Sequence, residues 1–306
     1  MIGRIQYMNK QKGIFNATFQ ESSNLVTKKS VALTEEKNGL KTMKFSNKII
    51  GSFLGLTFFS VWSYVMGIGM AEGMLNANAK DIHIISVEGA HVIGLVGTLL
   101  KPLTISLISF WILAIVINLF PKKDYSIHYA WGTIFLIAMM FLFSTTLFSL
   151  TVGFTVDGLG WLGLILLSIF GILLIIKTVR NCRANVLTIL FQQKNSLNNK
   201  MNKLINIYIC ACFIILLMNR FSFRLGFVSE NSTLISLFYG CAILIFWGLV
   251  TLCIYIMFPR IIGSVYLIKY SEQYKEYFEI TNEQWYGKRK AKRLEKRRKK
   301  ENQNDK

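Results

Sequence analysis

Four side chains of metal-ligating type lie close together in the stretch DIHIISVEGAH: Asp81, His83, Glu88 and His91. Neutral imidazoles beside carboxylates can hold zinc or relay protons. Glu88 and His91 stand three residues apart and share a face if the segment is helical. Gly89 weakens a helix there, however, and no two-histidine metalloprotease pattern surrounds them. Solvated loop residues are the preferred reading. His83 and His91 stay as weak metal candidates, and no cofactor is expected. His128 stands alone.

A second polar set is Ser144-Thr145-Thr146, with Ser149 and Thr151 beyond it, in an otherwise apolar stretch. Hydroxyls in such a place either donate back to their own helix carbonyls or line a polar path. The five cysteines include Cys210 and Cys212 as C-x-C, but no second pair completes a metal site. The sequence has no G-x-S-x-G elbow, phosphate-binding loop or paired-cysteine metal pattern. A metal-dependent enzyme built on His83 and His91 is therefore the weakest functional reading, and the chain is expected to be non-enzymatic.

The elements that must position these residues are membrane helices. Hydrophobic residues make up 53% of the 306, and charged residues only 17%, which is outside the soluble range. With about 20 apolar residues needed per crossing, six spans emerge: 49–70, 104–120, 130–154, 159–176, 204–218 and 234–258. The second is the least regular. Lys101-Pro102 precedes it, and Pro disrupts a helix interior while a buried lysine is costly. Lys101 is expected to snorkel at the outer headgroups. Residues 91–103 are then left as an interfacial segment, a re-entrant one or a backward extension of span two. No acid or unpaired base falls deep inside these six windows, and Asn118 is the one carboxamide well within them.

Charge orients the spans. With an even number of crossings both termini share a side, and that side then holds 31 of the 35 Lys and Arg. The positive-inside rule makes it cytoplasmic. Only Lys80, Lys101, Arg220 and Arg224 fall on the other face. The expected fold is an all-α integral membrane protein with a basic amino-terminal tail (1–48), a six-helix domain (49–258) and a carboxyl-terminal tail (259–306). The expected location is the bacterial cytoplasmic membrane, with both termini inside.

Helix association in lipid relies on small residues. Gly51 and Gly55, Gly69 and Gly73, and Gly240 and Gly248 are the candidate packing pairs. No fold is forced on residues 1–48. From Ile261 the apolar positions recur at helical spacing and are rich in tyrosine. This predicts an aromatic helix either on the inner leaflet or under the bundle, with Pro259 marking a break before it. In ITNEQW, Thr281 and Gln284 make a capping box, and Ile280 with Trp285 make the staple around it. A new helix should start at Asn282.

Ten of the thirteen residues from Lys288 to Lys300 are basic: Lys288, Arg289, Lys290, Lys292, Arg293, Lys296, Arg297, Arg298, Lys299 and Lys300. Leu294 is the only large apolar residue in this run, so no apolar face is expected there. Contact with anionic inner-leaflet lipids, or a role in topology and retention alone, is the preferred reading. An acidic protein comes next, and nucleic acid last. The architecture resembles, in outline only, six-span subunits of conjugation and secretion channels; no motif carries the likeness. The leading expectation is a non-enzymatic scaffold or translocation subunit that works with other membrane subunits or a cytosolic ATPase. A small-solute or ion transporter is the alternative.

Overall fold

A computed structural model describes residues 13–34, 39–43, 45–78, 82, 84–120, 124–192, 206–207, 210, 213–215, 217–218, 226–227, 238–287 and 290–297. Among the described residues every regular element is helical. Four helices are long and apolar enough to cross a membrane: Ser46–Leu75, Val87–Leu119, Tyr125–Phe191 and Ile243–Lys269. The chain is an all-helical protein of membrane type. The short helix Phe19–Ser23 is α1. The four long helices are α2 to α5 in chain order, followed by α6 (Ser271–Tyr277), α7 (Asn282–Tyr286) and α8 (290–297).

Helix α4 covers both the third and the fourth windows of the sequence. A straight helix of 67 residues would run about 100 Å, more than three hydrocarbon thicknesses. It is instead folded at Gly160, whose φ of 68° and ψ of −178° belong to a region essentially reserved for glycine. The two limbs, 125–159 and 161–191, then run side by side. Val186 and Leu190 of the second limb join Tyr125 and Tyr129 of the first in one cluster. Leu167 joins Val152 and Val156 near the fold.

Helix α3 decides among the readings of residues 91–103: they belong to the second apolar helix, a single helix that starts at Val87 and runs through Pro102. Ser86 supplies the missing start signal, its hydroxyl accepting from the Gly89 amide at 3.0 Å. Small residues explain why the segment packs so well. Gly94 lies against the Leu75 backbone, and Gly97 against Ala71.

Lys101 sits about 21 Å along α3 from Val87 and pairs with Glu72, three residues before the end of α2. Pro259 likewise does not break α5, which continues to Lys269 and turns only at Tyr270. Membrane helices tolerate such prolines because neighbouring groups satisfy the freed carbonyl. The fifth window, 204–218, falls largely outside the described residues.

Residues 13–34, on which the sequence forces no fold, are folded. Thr18 and Glu21 form a capping box that starts α1. Ala17, Val26 and Val31 are fully buried against α5, α6 and α7. Both described ends of the chain thus meet at one end of the bundle. This is termed the terminal end. The fold of α4 and the starts of α3 and α5 lie at the far end.

Candidate functional site

At the far end, Asp157 is fully buried beside the start of α3. Ser86 donates to it twice, through its hydroxyl and through its backbone N–H at 3.3 Å. A carboxylate at a helix amino terminus is stabilised by the exposed amides and the dipole. The Phe227 amide donates to the Asp157 carbonyl at 2.9 Å. Asp157 therefore ties α3, α4 and the chain before α5 together. Replacing it with alanine removes acceptors from buried donors, a loss of about 1–3 kcal/mol. A lowered unfolding midpoint in detergent, partly restored in Asp157→Asn, is the expected result.

Glu88 and His91 do share a face of α3. Together with Met74, Leu75, Val87 and Phe227 they line a cavity of about 340 Å³. Asp81 and His83 lie outside the described residues. Among the described residues, no three His, Cys, Asp or Glu side chains gather as a metal site would require.

The hydroxyl set divides. Ser144 and Thr145 face an apolar groove of about 570 Å³ between the two limbs of α4 and α5. Thr146 faces the other way, towards Gly67 of α2 and Thr104 of α3. Ser144 donates to the Met140 carbonyl at 2.8 Å, Thr145 to that of Leu142 at 2.8 Å, and Thr146 to that of Phe143 at 2.8 Å. Back-bonding occupies all three.

Of the glycine candidates, Gly55 touches Trp111 and Phe135, and Gly240 sits against Leu159 and Gly158. Gly51, Gly73 and Gly248 have open space in front of them, and Gly69 meets only its own helix. Besides Gly240, close approaches are made by Gly94, Gly97, Gly89 against Asp157, Gly153 against Ile93, and Gly171 against Trp247.

The most elaborate assembly is at the terminal end, where side chains from both described ends of the chain form one platform. The tyrosines of α5 and α6 meet the amino-terminal segment, not lipid. Tyr266 donates to the Ile14 carbonyl and accepts from the Ala17 amide at 3.0 Å. Tyr270 donates to the Ala17 carbonyl at 2.9 Å, and Tyr274 shares a 2.6 Å hydrogen bond with Ser22. Burial pushes the Tyr274 hydroxyl up to about 12, so it remains a neutral partner for that serine. Phe19 packs edge-on against Tyr270 and Tyr274.

The sequence placed α7 correctly. Thr281 and Gln284 form the capping box, and the helix spans Asn282–Tyr286. Trp285 is fully buried, its indole N–H donating to Ser271 at 3.2 Å and its ring 5.5 Å from that of Tyr125. The basic run does have an apolar face. Ala291 is buried and Leu294 packs on the platform cluster, three residues apart on α8. Lys290 lies 4.2 Å over the Tyr286 ring, and Lys292, Arg293, Lys296 and Arg297 remain exposed. Lys288, Arg289, Arg298, Lys299 and Lys300 fall outside the described residues.

Glu272 latches this arm. The Tyr286 hydroxyl donates to it, and Lys275 reaches it at 3.0 Å. The Tyr286 hydrogen bond first, and then Lys275, hold the Glu272 carboxyl below its ordinary value. A lowered folded-state value stabilises the fold above the unfolded value, and that contribution is lost as pH falls through the folded one. Protease cleavage after α7 should therefore quicken on acidification below about pH 4, the ordinary glutamate range. Glu272→Gln should show the faster cleavage already at pH 7.

No protein-family model matches the chain, and no curated protein or solved structure is significantly similar to it.

Proposed function

We propose that this chain is a non-enzymatic, multi-pass subunit of a bacterial membrane assembly, a scaffold or part of a translocation path, with the platform as its docking face. The observation that carries this reading is the platform itself. Both described ends of the chain are built into one buried aromatic cluster, and a basic helix packs against it at the terminal end of the bundle. A topology signal alone needs charge but no such packing. The partners proposed are other membrane subunits or a cytosolic ATPase, with anionic lipid around them. Contact with nucleic acid is a lesser proposal.

Six crossings with both termini inside the cytoplasmic membrane belong to the same proposal. The second limb of α4 ends beside Tyr125 at the terminal end, whereas Phe227 bonds to Asp157 at the far end. Residues 193–225 join those two ends, which supports a crossing by 204–218. The one-sided distribution of Lys and Arg supports the orientation. Extraction of the tagged chain in mild detergent from its own host should bring down stoichiometric membrane or ATPase subunits; recovery of a free chain alone would sink the proposal.

One observation favours the transporter alternative. Glu72 and Lys101 are ionisable groups paired within long apolar helices, and such pairs often mark ion or proton routes. Flux through reconstituted vesicles that Lys101→Met or a Ser144/Thr145/Thr146 triple alanine abolishes would move the assignment there.

A further inference from the structure

The second limb of α4 carries three cations for which the described residues supply no counter-charge. Because the limbs run antiparallel, Val179 lies beside Met140 and Phe141. Lys177, Arg180 and Arg183 therefore flank the middle of the first limb and not its end. At the same level, Trp62 of α2 stacks on Phe143, and the neighbouring Phe58 and Val61 are exposed as lipid-facing residues are. A cation beside so apolar a surface is expensive without a counter-charge. Arg180 and Arg183 are exposed, and none of the three forms an ion pair among the described residues.

Next to them lies the groove of about 570 Å³ between the two limbs and α5, walled by Met140, Phe141, Val179, Val250, Ile254 and Met257. Val179 belongs to that wall. Arg183, four residues on, lies one turn away on the same helical face, towards the terminal end. An apolar slot with two arginines beside its Val179 wall on the same helix matches one kind of molecule: an anionic head on an alkyl tail. Arginine suits a phosphate head because its fork donates to two oxygens at once. Basic pockets between membrane helices are known to take acidic lipid heads.

We propose that the groove between the α4 limbs and α5 binds an anionic phospholipid, its acyl chain along Met140, Val250 and Ile254 and its phosphate on Arg180 and Arg183. The bound head supplies the counter-charge these residues lack. This site is separate from the basic arm and does not depend on the docking function proposed above.

The test is competitive retention. Full-length protein in mild non-ionic detergent is given equal amounts of phosphatidylglycerol and phosphatidylcholine with identical acyl chains, and retained lipid is counted by native mass spectrometry. Preferential retention of phosphatidylglycerol is expected. Arg180→Gln with Arg183→Gln should weaken it about thirtyfold, given the gain each basic residue contributes near an acidic lipid. The corresponding lysine pair should retain most of it. Val250→Trp, which fills the slot, should also lower retention, with an unchanged thermal melt showing that both variants are folded. Glutamine at Lys292, Arg293, Lys296 and Arg297 of the arm should leave retention intact. The site is refuted if the Arg180/Arg183 glutamine pair retains phosphatidylglycerol as the wild type does, or if the arm substitutions abolish retention. Complete displacement by a modest excess of oleate would likewise overturn a phospholipid assignment in favour of a free fatty acid.

Discussion

Gly94→Ala should destabilise the bundle markedly, although it adds a single methyl group to an apolar helix. A Cβ at Gly94 would stand 2.6 Å from both Cα and N of Leu75. Those are backbone atoms and cannot rotate away, so α2 and α3 must separate. Separation also loosens the Gly97–Ala71 contact and the Lys101–Glu72 pair further along the same seam. Overpacking of this kind typically costs about 1–3 kcal/mol, and the linked ion pair should place the result at the upper end. Gly73→Ala supplies the contrast. Nothing lies within 4 Å of a Cβ there, and alanine favours helix over glycine by about 1 kcal/mol. Unfolding midpoints in a denaturing-detergent titration should fall for Gly94→Ala and hold or rise for Gly73→Ala. Equal shifts would mean that the α2–α3 approach is not as close as described.

Trp285→Ala should release the basic arm while leaving the membrane bundle folded. The ring is fully buried, is bonded to Ser271 and rests on Tyr125. Truncating a buried tryptophan costs about 3–5 kcal/mol. Helix α7 has only five residues, too few to persist without its packing. The loss should therefore appear as detachment of everything beyond Ile280. Limited proteolysis should clip the arm rapidly, with the bundle fragment unchanged in size and melting. Trp285→Phe removes the indole N–H but keeps most of the ring, so its clipping rate should lie much closer to that of the wild type.

The parts of this fold that were legible in the sequence are the local ones. The start of α7 was readable because a capping box and a staple involve residues at most five apart. The same T-x-x-E signal at Thr18 and Glu21 starts α1. It was obscured because its apolar partners, Val26 and Val31, are isolated in a polar stretch and find their core only across the molecule. The basic arm misled for the same reason. Ala291 and Leu294 are too few to suggest a face until the aromatic floor beneath them is in place.

Glycine spacing shows that a helix could pack, but not which of its faces meets a neighbour. Gly51 and Gly73 therefore fit the pattern yet look into open space, whereas Gly55 and Gly240 do meet neighbours and further close contacts fall at Gly94, Gly97, Gly153 and Gly171. The pair Lys101-Pro102 reads as a boundary under single-helix rules. Only Glu72, on another helix, makes a lysine acceptable in the middle of α3.

The central claim is that the terminal platform docks this chain into a larger membrane assembly. Native mass measurement of complexes extracted from host membranes tests it most directly, with wild type and Trp285→Ala compared at equal expression. The wild type should carry partner chains in fixed ratio, and the variant should lose them while remaining inserted and folded. A wild-type species with the mass of one chain plus detergent and lipid, unaltered by Trp285→Ala, would contradict it.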